Sequence, residues 1–459
     1  MKPVKLSWIL KVLGGTLFTG EGVYQEIVQG VSTDTRNIYI GDLFIPLRGE
    51  RFNGHEFIEL AYAKGAVGCI TEERLHTVPE GKWMILVKDT KKALMELAAA
   101  YRKIFPIPVV AVTGSVGKTS TKDMMASFLS QKGVVLKTQG NYNNEIGLPL
   151  TVFGLEDHHT VAVLEMGMSG FGEIHNLSRI ARPKFGVITN IGVSHIEHLG
   201  SQQGILKAKS ELFDYLEEDG VALLNGDDPL LASLQEQLSC TVISFGIKSN
   251  NMYWAEEIDI TGETTVLLIH TPTTQFKATV PSIGQHWIYN ILPGVIIGEY
   301  FGMSISEMQQ GIASFAPSGM RMEKESTDYP LHIINDTYNA SPDSMRVALD
   351  VLCRWPVSGR RIAILGDMFE LGDYSKQIHE SIGRYAAQKE IDVLIFVGEE
   401  AKQMDVAAKQ QGISSLYFPT KEELQDEIPS IVKRGDTILL KASRGMHLEE
   451  TVEKLKEVK

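Results

Sequence analysis

A chain of 459 residues is long enough for roughly two to four domains of ordinary size, and 43% hydrophobic with 22% charged residues is the composition of a globular protein. Its 44 basic and 57 acidic residues give a formal net charge of -13 with no basic block, which excludes an electrostatic nucleic-acid binder and requires that any anionic ligand be held by local groups. Cys69, Cys240 and Cys353 form no closely spaced pair, which argues against a disulfide framework or zinc site and points to a reducing cytosol.

The N-terminal MKPVKLSWILKVLGG has the outline of a signal peptide, but Lys11 interrupts the apolar run and no small-residue cleavage site follows, so an amphipathic helix is expected. No uncharged apolar run is long enough to span a bilayer. Up to the late eighties the chain carries short strand-like pieces, DLFIPL, GAVGCI and WMILV, with a turn at Asn53-Gly54. A helix from Lys91 to Phe105 follows, broken by Pro106 and Pro108.

A second zone opens with the apolar run Val109 to Thr113 and continues with VAVLEM (161–166), FGVITNIG (185–192) and GVALLNGDD (220–228). Buried strands alternating with helices predict a mainly parallel α/β sheet. Residues 252–281 read instead as a small antiparallel meander attached to it. A third zone repeats the α/β rhythm with LHIINDTY (331–338), RIAILGDM (361–368), DVLIFVG (392–398) and DTILLKAS (436–443), a helix lying between the first two at Asp343 to Cys353. The expectation is an α/β protein of three domains, at 1–87, 88–316 and 317–459, the last a second doubly wound, Rossmann-like sheet.

The strongest single signal is Thr113-Gly114-Ser115-Val116-Gly117-Lys118-Thr119, between an apolar strand and a helix. Glycines let such a turn aim backbone N–H groups at phosphate oxygens, and the helix N-terminus adds positive potential. Lys118 reaches the β/γ-phosphates in such a loop, and the Thr119 hydroxyl is a Mg²⁺ ligand. The first glycine of the standard pattern is replaced by Val112, so the loop is a shortened variant.

Glu165 ends the strand VAVLE, the usual place for a Mg²⁺ partner beside a phosphate loop, although a solvated strand-end carboxylate is the commoner case. His195 follows the strand ending at Asn190, and spacing alone favours a structural role for it, with His198 as a decoy. Lys209, in ILKAKSELFDYL, reads by local spacing as a surface lysine.

In order, STDTR (32–36), GDLFIPLRGERFNGH (41–55), TGSVGKTS (113–120), GNYNNEIGLPLT (140–151), VLEMGMSGFGEI (163–174), ITNIGVSHIEHLGS (188–201), AKSE (208–211), GMRME (319–323), NDTYNASPDSM (335–345), LGDMFELG (365–372) and LKASR (440–444) resemble the Mur ligases of bacterial cell-wall synthesis over nearly the whole chain. EMGMSGFGEI and DTYNASPDSM are similar to the dipeptide-adding branch. The tripeptide-forming branch carries a His-Thr-Pro run where this chain has Asn339-Ala340-Ser341-Pro342. The nearest rivals are that branch and a folylpolyglutamate synthase; a silent nucleotide-binding module is a third reading.

The resemblance implies ATP and Mg²⁺ as cofactors, UDP-MurNAc-tripeptide and D-alanyl-D-alanine as substrates, and a cytoplasmic monomer. It places the UDP end of the substrate on Ser32, Thr33, Arg36 and the Gly49 to His55 loop, with Asn53 and Gly54 inside it, and puts Asn141, Asn144 and Asn339 on the substrate side. Gly114, Ser115, Gly117, Lys118, Thr119 and Ser120 would hold phosphates, Arg321 and Asp336 the phosphates and ribose, and Asn290 the adenine side. Thr119, Glu165, His195 and Lys209 would serve the metal, Lys209 matching a lysine that is carbamylated in the family; Lys118, Glu165, His195 and Lys209 form the implied catalytic set. One departure stands out: where the family reads His-Asn-x-x-Asn, this chain has Trp287 after His286, able to stack or pack where an amide would hydrogen-bond.

Overall fold

The computed structural model describes residues 1–49, 52–317, 319–327 and 330–458. Residues 50 and 51 of the expected UDP loop lie outside the described residues. The chain forms two compact units, one of Met1–Val112, Gly133–Gly186 and Ser210–Val221, the other of Thr113–Lys132, Val187–Lys209 and the chain from Ala222 onward.

In the first unit a five-stranded sheet runs in the order Thr16–Thr19, Trp83–Leu86, Gly68–Thr71, Asp42–Phe44, Gly30–Ser32, with only the first pair antiparallel. The N-terminal segment forms the expected helix, Leu6–Leu13, ending on Gly14 at φ 63. A short strand missed in the sequence, Val4–Lys5, precedes it and pairs with Ile27–Val28. The helix expected from Lys91 to Phe105 is Thr90–Arg102. It stops three residues early: Pro106 has no N–H to donate to the Arg102 carbonyl, and the buried Arg102 guanidinium donates to the carbonyls of Phe105 (2.5 Å) and Ile107 (2.7 Å), which tethers the chain around the prolines.

The strands Val135–Lys137, Val161–Glu165 and Val109–Thr113 of the first unit pair in parallel in that order. In the second, Tyr253–Thr261, Thr264–His270 and Gln275–Val280 form the expected antiparallel meander.

The second unit also holds a six-stranded sheet in the order Glu323–Ser326, His332–Asn335, Thr437–Lys441, Arg361–Gly366, Val393–Val397, Ser415–Phe418, parallel except for its first pair. Alternate residues of its strands feed two cores. Ile334, Ala363, Leu365, Leu394, Phe396 and Leu439 pack on one face, and Ile333, Ile362, Ile364, Ile395, Ile438 and Leu440 on the other. Burial on both faces is why these strands read as unbroken apolar runs. The carboxyl ends of such strands are where an open α/β sheet presents ligand groups, and Asp336, Asp367 and Ser443 follow three of them.

Candidate active site

The wholly buried strand Val109–Thr113 delivers the chain into the glycine turn, and helix Lys118–Leu129 leaves it. Gly114 has φ 150, and a Cβ there would lie 1.8 Å from Thr189 Oγ1; Gly117, at φ 86, opens the helix. Both positions require glycine. The segment after the next strand shapes the turn. Asn190 Oδ1 accepts from the backbone N–H groups of Ser115 (3.1 Å) and Val116 (2.9 Å), Ser115 Oγ accepts from the Gly192 N–H (2.9 Å), and the Thr189 hydroxyl donates to the Val116 carbonyl (2.6 Å). Asn190 is thus a loop-organising residue that sequence reasoning used only as a landmark.

Lys118 Nζ donates to the Gly114 carbonyl at 2.7 Å, with the Ser115 carbonyl at 3.4 Å. Thr119 is buried behind it and Ser120 half-buried. Asn290 is buried too, and its Oδ1 accepts from the Thr121 hydroxyl at 2.9 Å, which ties its amide to the phosphate-loop helix. Trp287 takes the packing role: it is buried edge-on against Phe315 at 5.1 Å, and its Nε1 has no hydrogen-bond partner among the described residues.

The local reading of Lys209 as a surface lysine is overturned. It lies in the last turn of helix Gln202–Ser210 and is only 2% exposed, whereas Lys207 is exposed. Ile205, Leu206 and Ala208 are buried with it, so Lys209 occupies the i+4 position of an apolar stripe. Among the described residues no carboxylate pairs with its amine. Burial, and secondarily the Lys118 ammonium, pull its pKa well below the ordinary lysine value.

His195 is in the left-handed region at φ 63, capping the short helix Ile196–Leu199, and His198 is exposed. His195 Nδ1 stands 2.6 Å from Glu370 Oε2, an ion-pair distance without the alignment of a full hydrogen bond. The contact with His195 holds the Glu370 carboxyl below the usual range.

Further along the second unit, Arg321 lies between Met320 (φ 58) and Met322 (φ 51), its guanidinium 4.0 Å above the Tyr338 ring. Asp336 Oδ1 accepts from the Met322 N–H (3.2 Å), and its Oδ2 pairs with the buried Lys441 ammonium at 2.5 Å. Lys441 also donates to the Asn339 carbonyl at 2.9 Å, so one lysine ties together two expected ligand residues. The sequence offered it only as a letter of LKASR.

In the first unit, Glu165 is buried; its Oε1 accepts from Asn143 Nδ2 at 2.8 Å and its backbone N–H donates to Thr138 Oγ1 at 2.9 Å. Asn143, which the resemblance did not single out, is therefore the asparagine that touches Glu165. Asn141 is exposed, and Asn144 Oδ1 accepts from the N–H groups of Ile146 and Gly147 at the start of helix Gly147–Phe153. Near the N-terminus, Ser32 Oγ accepts from the Asp34 N–H, half-buried Thr33 lies between them, and exposed Arg36 forks onto Asp34 at 2.7–3.0 Å. Asn53 pairs with Arg48 in an isolated antiparallel bridge, and the Gly49 N–H donates to the Phe52 carbonyl. Gly54 fits against Leu47, where a Cβ would meet the backbone at 2.6 Å. His55 is buried with both ring nitrogens engaged, Nδ1 with Asn53 Oδ1 (2.9 Å) and Nε2 accepting from the Glu72 N–H (3.2 Å). It braces Asn53 against Glu72.

A glycine turn opening a helix, with two lysines in one electrostatic neighbourhood, defines a nucleotide-binding α/β protein built for anionic ligands. Residues 27–107 match the Mur ligase family catalytic domain, 112–298 the Mur ligase middle domain and 320–444 the Mur ligase glutamate ligase domain. A Bacillus subtilis (strain 168) protein named UDP-N-acetylmuramoyl-tripeptide–D-alanyl-D-alanine ligase is 40% identical over 97% of each chain. The crystal structure of MurF from Acinetobacter baumannii is similar at a TM-score of 0.91 and 31% identity, covering 100% of this chain and 99% of that one. MurF from Thermotoga maritima in complex with ADP is similar at 0.83 and 28%, covering 94% and 97%. The chain belongs to the Mur ligase family.

Proposed function

We propose that this chain is an ATP-dependent, ADP-forming ligase that joins D-alanyl-D-alanine to UDP-MurNAc-tripeptide in peptidoglycan precursor synthesis. The observation that carries the reading is the phosphate loop with Lys118 and, beside it, the buried Lys209, which no carboxylate pairs among the described residues, on a chain similar along its length to relatives named for this reaction.

A carboxylate does not condense with an amine in water, because its oxygen is a poor leaving group. Phosphorylation of the tripeptide carboxylate gives an acyl phosphate; the dipeptide amine attacks it, and phosphate leaves. Charge moves in both steps, so positioning and electrostatics dominate. Loop N–H groups, the Thr119 hydroxyl and Lys118 stabilise the transferring phosphoryl group. Arg321 and Asp336 take the nucleotide, Asn290 its base side, and Asn339 the dipeptide side. The region 1–87, through Ser32, Thr33, Arg36 and the segment braced by His55, holds the UDP end; 88–316 and 317–459 are the nucleotide and acceptor domains.

The donor set fits Mg²⁺ on one condition. Of the residues the resemblance implies, Thr119 and Glu165 would offer oxygen donors and His195 an imidazole, but a Lys209 ammonium would repel a cation. Lys209 fits as a carbamate: its burial, with no counter-charge among the described residues, favours the neutral amine, whose nitrogen adds to CO₂ and loses a proton to solvent to give an anionic oxygen ligand. Bound there, Mg²⁺ would neutralise phosphate charge. We place the enzyme in the cytoplasm as a monomer; no helix among the described residues is long and apolar enough to cross a membrane.

The test is ADP release with UDP-MurNAc-tripeptide, with and without D-alanyl-D-alanine, beside UDP-MurNAc-dipeptide with L-lysine or diaminopimelate. Turnover strictly dependent on the dipeptide is expected. Equal turnover with a free amino acid on the shorter substrate would assign the chain to another branch.

A further inference from the structure

Six non-glycine residues among those described have a positive φ, and two of them face each other: His195 at φ 63 and Glu370 at φ 61. A residue with a Cβ is strained there, and glycine or asparagine is what a turn alone would select. Such strain persists where surrounding structure over-determines it, and an observed outlier is a reason to look for function. Here both backbones aim one side chain at the other, to 2.6 Å.

The loop bearing Glu370 is firmly built. The Asp367 carboxylate accepts from the Ala401 N–H at 2.7 Å, the Met368 N–H donates to Nε2 of the fully buried His379 at 3.0 Å, and the Phe369 N–H donates to Ser443 Oγ at 2.9 Å. On its other side a Cβ on Gly372 would lie 3.1 Å from the Glu197 side chain, so the loop also packs beside the turn that carries His195. Nothing in this arrangement requires glutamate for packing, since Glu370 is more than half exposed.

We infer that Glu370 is a positioning residue for His195: its carboxylate holds the Nδ1 side of the ring, which keeps the proton on Nδ1 and leaves Nε2 as the free lone pair. A histidine that binds a metal through one nitrogen is ordinarily oriented by a carboxylate or carbonyl at the other. The inference rests on the proposed reading of His195 as a Mg²⁺ ligand. It adds that a loop of the six-stranded sheet fixes the tautomer of a residue on the phosphate-loop side of the same unit.

The test uses the full chain and Glu370→Gln, Glu370→Gly and His195→Ala. The ring ¹⁵N shifts of His195 are read in the ligand-free protein above the histidine titration range. The Nδ1–H form is expected to dominate in the parent and to give way to a tautomer mixture in Glu370→Gln. Mn²⁺ binding with a non-hydrolysable ATP analogue, followed by electron paramagnetic resonance, is expected to weaken about tenfold in both Glu370 variants. Glu370→Gly, relieved of strain, should at the same time melt no lower than the parent, which a merely structural role would not produce. An unchanged tautomer in Glu370→Gln overturns the inference. Unchanged Mn²⁺ affinity in His195→Ala counts instead against the metal reading, while the tautomer decides the positioning role by itself.

Discussion

The phosphate loop and the helix Gln202–Ser210 each bring a lysine into one electrostatic neighbourhood, and they treat its charge in opposite ways. At Lys118 the loop turns the Gly114 and Ser115 carbonyls toward the side-chain nitrogen and gives it hydrogen-bond acceptors. Among the described residues Lys209 is given no such partner, and burial beside Lys118 favours its uncharged form. On the proposed reading the first arrangement serves a cation for phosphate, and the second an amine able to react. The difference shows that residue type alone does not assign a lysine its chemistry; the surrounding acceptors do.

The sharpest way to break this comparison is Lys118→Ala. Loss of one preorganised charge at a transferring group costs on the order of 10²–10³ in rate or more, so ADP release should fall about a thousandfold. The fold should survive, because Lys118 is only half-buried at the first position of its helix. Normal turnover in a folded Lys118→Ala protein would end the phosphate-loop reading. Lys209→Ala comes next. It should lose most activity and recover part of it with added short carboxylic acids, which can occupy the anion position a carbamate would fill. The exposed Lys207, two residues away, should tolerate alanine almost silently. If Lys207→Ala and Lys209→Ala behave alike, Lys209 is an ordinary helix lysine.

The sequence made the loop legible because its signal is local: a buried strand, two glycines and a lysine within seven residues. The strand runs were legible for a similar reason, since apolar residues on both faces leave an unbroken pattern. Short strands such as Ser415–Phe418 lacked such a run and went unseen. Lys209 entered only through family resemblance, because its burial depends on packing remote in sequence; the one local hint was its place four residues after Ile205 on a buried stripe. Lys441, Asn190 and Asn143 were missed as contacts for the same reason. Their partners lie 105, 75 and 22 residues away, at Asp336, Ser115 and Glu165. Chain spacing does not report which residues the ends of different strands bring together. His55 shows the converse: a motif residue whose ring nitrogens are both used to brace its own segment.

Burial acting on a base can also be measured through stability, at His286, where the effect is smallest. His286 precedes the unexpected Trp287, with ring centroids 4.9 Å apart, and its ring lies close against Gly284. Desolvation first, and the Arg354 cation second, push its pKa from 6.5 down to about 4. As pH falls from about 6.5, the unfolded chain takes up a proton that the folded one refuses until about 4. Stability from this group is therefore complete above about 6.5 and declines through that window, by on the order of 3 kcal/mol. Carboxylates throughout the chain titrate in the same acidic range, so the parent alone does not isolate the histidine. A variant His286→Gln, compared with the parent by urea unfolding at several pH values, removes this one proton. The variant's stability should fall less steeply between about pH 6.5 and 4, while the two curves run parallel above that window. Equal slopes within it would mean that His286 titrates normally in the folded protein and that the burial argument fails at this site.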